Sequence, residues 1–204
     1  MSRHIMAVGA HPDDIEYGCG GALLRHAESG DAVTMVVLSD GARGGPPTQR
    51  LAEQLSACGQ IGAELEMLER PDGDLGPVLP LIDSLEHLIG EREPDIVYTH
   101  LARDQHQDHA ATHHAVRVAA RRCRNLLLFE SPSSAPLERG VVVDISDHIK
   151  QKIALLAHHA SQVARMPQLG EEGITARAYL HGTRFGCRYA ELFEPVRYHM
   201  DPAV

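Results

Sequence analysis

The chain has 204 residues, 43% of them hydrophobic, and a formal net charge of −9. That is enough apolar material for one sizeable core, and the acidic balance excludes a surface built to neutralise nucleic-acid phosphates, which needs clustered Lys and Arg. No apolar run approaches the roughly 20 residues that span a bilayer, and the start MSRHIMAVGA enters a strand-like segment without a signal-peptide core; the expectation is a cytoplasmic protein with a small-molecule partner, no nucleic acid and no membrane, for which homo-oligomerisation stays open.

Residues 5–10 form a short apolar run closed by His-Pro, followed by the Gly-rich 17–21 and a helical pattern from Ala22 to a stop at Gly30. Residues 32–40 read as a buried strand, 41–48 as a Gly/Pro-rich loop and 50–62 as a helix. Residues 64–69 predict a third strand, 80–93 a helix, 95–100 a fourth strand and 108–122 a helix. Strands at 126–130 and 141–145 and a helix over about 146–160 complete the set, and the Gly-rich 169–182 reads as a long loop. Strands alternating with helices predict a single α/β domain over 1–204, Rossmann-like, with a mainly parallel sheet and helices on both faces.

In such sheets ligands bind beyond the carboxyl ends of the strands. Two segments with metal-ligand chemistry fall there, His11-Pro12-Asp13-Asp14 after the first strand and His106-Gln107-Asp108-His109 after the fourth. His11 and Asp14 are three apart at a helix entry, so their side chains point the same way, and His106 and His109 repeat the spacing. Asp108 between them offers a carboxylate to an imidazole N–H, an arrangement common at metal-site histidines. Alone, the first segment also reads as a helix N-cap with acids complementing the macrodipole, and the second as a polar helix entry. Together they predict one divalent metal site, zinc by preference with other transition metals fitting too, left open for a substrate carbonyl. Five of the fourteen histidines lie between His100 and His114; of these, His113 is expected behind the site or at the surface.

Other chemistries lack their residues. Cys19, Cys58, Cys123 and Cys187 are scattered singly, which excludes a CxxC zinc ribbon and gives no disulfide framework. Lys150 and Lys152 are the only lysines, which argues against Schiff-base chemistry and a P-loop. Gly18-Cys19-Gly20-Gly21-Ala22-Leu23 imitates a dinucleotide fingerprint, but Leu23 replaces the third glycine, and Asp13, Asp14 and Glu16 would repel a pyrophosphate. No GxSxG elbow is present. A non-haem iron oxygenase using two histidines and a carboxylate, and a metal-binding protein without catalysis, remain alternatives.

The stretches 7–31 and 95–116 resemble the LmbE-like, or PIG-L, family of zinc-dependent N-acetylglucosamine deacetylases. The likeness includes AHPDD, the SDGxxG turn at Ser39 to Gly44, RxxE at Arg50 and Glu53, DxHxDH at Asp104 to His109, and the closing GTRFGCRYAELF. The resemblance implies that His11, Asp14 and His109 bind Zn2+ and that Asp13 is the general base. By the same resemblance His106 polarises the carbonyl or protonates the leaving amine, with Asp108 holding its tautomer and raising its pKa. Arg50 becomes a substrate-contact candidate, and Asp104 another, or a support for the His106 loop. The implied activity is removal of an acetyl group from an acetamido-sugar conjugate, with a thiol S-conjugate amidase of the same family as the alternative. Tyr179 and His181 are further pocket candidates.

Overall fold

Successive strand residues point to opposite faces of a sheet, and this chain makes both faces apolar. In the computed structural model, which describes residues 2–199, β1 (His4–Gly9), β2 (Ala32–Ser39), β3 (Glu64–Arg70), β4 (Ile96–His100) and β5 (Asn125–Phe129) are parallel. Strand β7 (Ala190–Arg197) pairs antiparallel with both β5 and β6 (Val141–Asp144). The seven-stranded order is β3-β2-β1-β4-β5-β7-β6. Ile5, Ala7, Met35 and Tyr98 face α1 (Asp14–Glu28), α2 (Pro47–Ile61) and α5 (Ile149–Ala157). Met6, Val8, Val36 and Val97 face α3 (Val78–Arg92) and α4 (Gln107–Ala119). The fold is the single α/β domain expected from the alternation.

Strand β1 lies between β2 and β4, so the connections leaving β1 and β4 diverge and open a crevice at their carboxyl ends. The register Ile5 to Ile96 and Ala7 to Tyr98 brings those two ends side by side. HPDD and HQDH therefore meet, although about ninety residues separate them in sequence.

The glycines of α1 serve close packing. A Cβ on Gly18 would lie 2.2 Å from the Phe129 ring and one on Gly21 would lie 2.8 Å from Ile145. Midway along α1 the backbone is spliced to the rest of the domain: Glu191 accepts from Gly21 N at 2.8 Å and Ala22 N at 2.7 Å, while Lys152 Nζ donates to Tyr17 O at 2.6 Å. Lys152 and Glu191 also pair at 2.5 Å, both buried.

Several element expectations need correction, beginning with α1, which starts at Asp14 and takes in the Gly-rich 17–21 ahead of the predicted Ala22. The predicted loop 169–182 is mostly helix, α7 (Glu171–Phe185), preceded by a short 3-10 turn (Pro167–Leu169). Its buried Ile174, Ala178 and His181 make one helical stripe, and Glu171 and Glu172 complement its N-terminus. Gly173 and Gly182 are there for space, since a Cβ would meet Gln168 O at 2.5 Å and Arg188 C at 2.6 Å. The helix predicted to about 160 ends at Ala157 and resumes as α6 (Ala160–Val163). Helix α3 begins two residues before the predicted Pro80, at Val78.

Candidate active site

Asp13 stands at the N-cap position of α1, but its side chain makes no capping hydrogen bond. Its backbone lies at φ 109, a region costly for a residue with a Cβ. The plain N-cap reading of HPDD therefore fails. Arg50 instead donates from Nη2 to Asp13 Oδ2 at 3.2 Å and to the Pro12 carbonyl. Burial and the neighbouring Asp14 push the Asp13 carboxyl up to about 6, opposed by Arg50, His159 and His11.

Asp14 is the hub. Its Oδ2 accepts from His11 N at 2.7 Å and lies 3.3 Å from His11 Nδ1, and its Oδ1 lies 3.3 Å from His109 Nε2. Each imidazole turns its other nitrogen to carboxylates, which only accept. His11 Nε2 is 3.2 Å from Asp72 Oδ1 and 3.1 Å from Asp108 Oδ2, and His109 Nδ1 is 2.9 Å from Asp104 Oδ2. These partners fix which nitrogen keeps its proton, so that loss of the other proton leaves His11 Nδ1 and His109 Nε2 as lone-pair donors. Burial lowers the His11 pKa, but Asp108, Asp14 and Asp72 raise it more, to about 12; for His109 burial is likewise outweighed, by Asp14 and Asp104, giving about 9. Imidazoles ringed by carboxylates hold protons that a divalent cation can replace.

His106 is arranged differently. Its Nδ1 accepts from Asp108 N at 3.3 Å, so the neutral ring carries its proton on Nε2. The ring stacks on His109 with centroids 4.5 Å apart and meets His11 edge-on at 4.8 Å. Burial and the neighbouring His109 and His11 lower its pKa. One expectation for Asp108 is thus corrected: its carboxylate turns to His11 and to Gly73 N, at 2.7 Å, not to the His106 ring; its charge does act to raise the His106 pKa, but burial, His109 and His11 outweigh it. Asp104 accepts from His106 N at 2.9 Å, and its side chain is fully buried and does not line the cavity.

A cavity of about 460 Å³ opens over this cluster, lined by His11, Asp13, Asp14, His106 and His109, with Asp72, Arg43 and Arg50 to one side. Pro132, Ser133, Gln162, Met166 and Leu169 also line it. Gly41, at φ +67, lets the loop after β2 close on Arg50 and Pro12, 3.0 and 3.1 Å from where its Cβ would be. Arg50 is only 2% exposed, so it is not the surface charge that a helix position alone would suggest. Tyr179 is exposed, and His181 is buried against Glu130 at 2.7 Å; neither lines this cavity. His113 is buried behind the site, its Nδ1 2.9 Å from His100 O.

Sequence reasoning missed Asp72, His100 and Gln162. Asp72 follows β3 as the motifs follow β1 and β4, and applying the same positional rule to Pro71-Asp72-Gly73 would have found it. His100 is the last residue of β4; it stacks on His109 at 4.1 Å, and its Nε2 accepts from Ala10 N at 3.1 Å. Gln162 carries no local signal.

His11, His106 and His109 form one group able to hold a metal ion, and Asp14, His100 and His109 another. His11, Asp72 and Asp108 form a third, and Asp14 links the first two, 3.3 Å from a nitrogen of His11 and of His109; nitrogen and oxygen donors of this kind suit a transition metal. Fold and site together define an α/β protein with a cluster of histidines and aspartates in the crevice between two parallel strands.

Residues 6–120 match the family described as PIG-L, GlcNAc-PI de-N-acetylase. The uncharacterized deacetylase YaiS of Escherichia coli is 37% identical over 141 residues, 65% of this chain and 76% of its own. A 1D-myo-inositol 2-acetamido-2-deoxy-alpha-D-glucopyranoside deacetylase of Saccharopolyspora erythraea is 25% identical, over 86% of this chain and 82% of its own. The crystal structure of a conserved protein, TT1542, from Thermus thermophilus superposes with TM-score 0.89 at 26% identity, covering 98% of both chains. The chain belongs to the PIG-L family and is an amide-hydrolysing enzyme.

Proposed function

We propose that the chain removes the acetyl group from an N-acetylglucosamine-type sugar conjugate at a zinc ion held by His11, Asp14 and His109. The observation that carries this reading is the pairing of the two outer imidazole nitrogens with carboxylates. It leaves His11 Nδ1 and His109 Nε2 each 3.3 Å from an oxygen of the Asp14 carboxylate, beside an Asp13 that bonds none of them. A bound zinc would supply a Lewis acid for the amide carbonyl and lower the pKa of water. The family description and the name of the Saccharopolyspora relative support an acetamido sugar as the substrate class.

Asp13 takes a proton from the attacking water, for which a pKa near 6 suits neutral pH. The water oxygen bonds to the carbonyl carbon, and the C=O pair moves onto oxygen. His106, with its proton on Nε2, donates a hydrogen bond to that oxyanion. Collapse breaks the C–N bond, Asp13 returns its proton to the departing amine nitrogen, and acetic acid leaves. Arg50 holds Asp13 and the Pro12 carbonyl, so the acetamide reaches the base against its guanidinium. Asp108 orients His11 by its carboxylate and His106 by its N–H, and Asp104 orients His109. The four free cysteines suit a reducing compartment and support a cytoplasmic setting.

The test is acetate and amine release from a panel of N-acetylglucosamine derivatives, after chelation and again after zinc is restored. Release that is lost and regained is expected. Absence of amine from every acetamido sugar, with release from a thiol S-conjugate amide instead, would overturn the sugar assignment.

A further inference from the structure

The turn after β5, Ser131-Pro132-Ser133-Ser134, lies outside the stretch matched to the family. It packs against the loop that precedes α4 and aims two hydroxyls at one carboxylate. Ser131 Oγ donates to Asp104 Oδ2 at 2.5 Å and Ser133 Oγ donates to Asp104 Oδ1 at 2.6 Å. The same two oxygens accept from His109 Nδ1 and His106 N, both at 2.9 Å. Each oxygen thus has two donors, which fixes the plane of the carboxylate. With the Asp104 side chain 0% exposed, solvent is poorly placed to replace a lost hydroxyl.

We propose that Ser131 and Ser133 are positioning residues of the metal centre: by locking Asp104 they hold His109 as the Nδ1–H tautomer with Nε2 turned to Asp14. This rests on the reading of His109 as a metal ligand. The two hydroxyl protons are not what closes the turn. Ser134 does that, with its Oγ accepting from Ser131 N and donating to Ser131 O, both at 3.0 Å. The turn is also clipped to the neighbouring loop by backbone bonds from Gln105 N to Ser133 O and from Ala135 N to Arg103 O. Ser131 Oγ also accepts from Ser133 N at 3.1 Å, so Ser133→Ala frees an Asp104 oxygen with every backbone bond of the turn kept, while Ser131→Ala gives up that one bond as well. Imidazole partners of this kind typically govern metal affinity by about 10–100-fold.

The experiment is zinc affinity of the full chain, by competition with a chromophoric chelator at fixed pH, for Ser131→Ala, Ser133→Ala, the double variant, Ser134→Ala and His109→Ala. The double variant is expected to bind zinc about 10–100-fold more weakly, with each single variant in between and the thermal midpoint of the metal-free protein lowered as the buried carboxylate loses donors. Ser134→Ala is expected to keep wild-type affinity. The imidazole N–H resonance of His109 in the metal-free protein should be sharp in the wild type and broadened in either single variant, which tests the pair even if the double variant does not fold. Unchanged zinc affinity in the double variant, or an equal loss in Ser134→Ala, would overturn the proposal. Retention of zinc by His109→Ala would instead overturn the ligand reading beneath it.

Discussion

At the scale of single residues, Asp13 combines two costs with one use. A non-glycine residue at φ 109 is strained by about 1–3 kcal/mol, and its carboxylate is buried beside another. Both fit the role proposed for it, a base that must stay off the metal and near neutral pKa. Asp13→Asn is expected to keep zinc while kcat falls by about 10²–10⁴-fold, measured as acetate release beside metal content. Loss of metal in Asp13→Asn, with Asp14→Asn still binding it, would exchange the roles of the two aspartates. The histidines give a second prediction, with its sign set by their raised pKa values. With His11 at about 12 and His109 at about 9, both are protonated in the metal-free protein at pH 8, and zinc must displace both protons. Titrating zinc in weakly buffered solution at pH 8 should release close to two protons per ion, and affinity should rise with pH. Release near zero would mean the imidazoles are already neutral. HPDD and DxHxDH were legible because each packs several functional residues into one short segment after a strand. Asp72, Ser131 and Ser133 contribute one or two side chains each from otherwise ordinary turns, and the rotation of Asp108 away from His106 is a packing outcome that spacing does not contain.

Among the elements, α1 depends on partners far along the chain. Lys152 and Glu191 insert into its middle turn, taking Tyr17 O and the N–H groups of Gly21 and Ala22. This explains why one of only two lysines is buried, and gives the closing YAE segment a structural task. Lys152→Met leaves a buried carboxylate without its cation and is expected to cost about 3–5 kcal/mol, read from urea unfolding; a loss below about 1 kcal/mol would mean that the helix N–H donors alone stabilise Glu191. The five parallel strands were readable from their apolar runs, each bounded by turn residues. Helix α7 was not, because its glycines look like loop punctuation until Gln168 and Arg188 are seen against them. The antiparallel β7 was likewise hidden, since strand direction depends on where the preceding helix delivers the chain.

For the whole molecule, the strand order decides where chemistry occurs. Divergence of the chain after β1 and β4 creates one crevice, and every proposed catalytic and metal-binding side chain reaches it from the loops at those two strand ends. Pro132, Ser133 and the lining from Gln162 to Leu169 come from beyond the matched family stretch. No helix among the described residues is long and apolar enough to cross a membrane. The most direct measurement is acetate released from an N-acetylglucosamine conjugate by the metal-free enzyme as zinc is added back. Activity should appear in proportion to bound zinc, reach its limit at one ion per chain, and be absent from zinc-loaded Asp13→Asn. Full turnover in the metal-free enzyme, or in Asp13→Asn, would contradict a metal-dependent centre with Asp13 as its base.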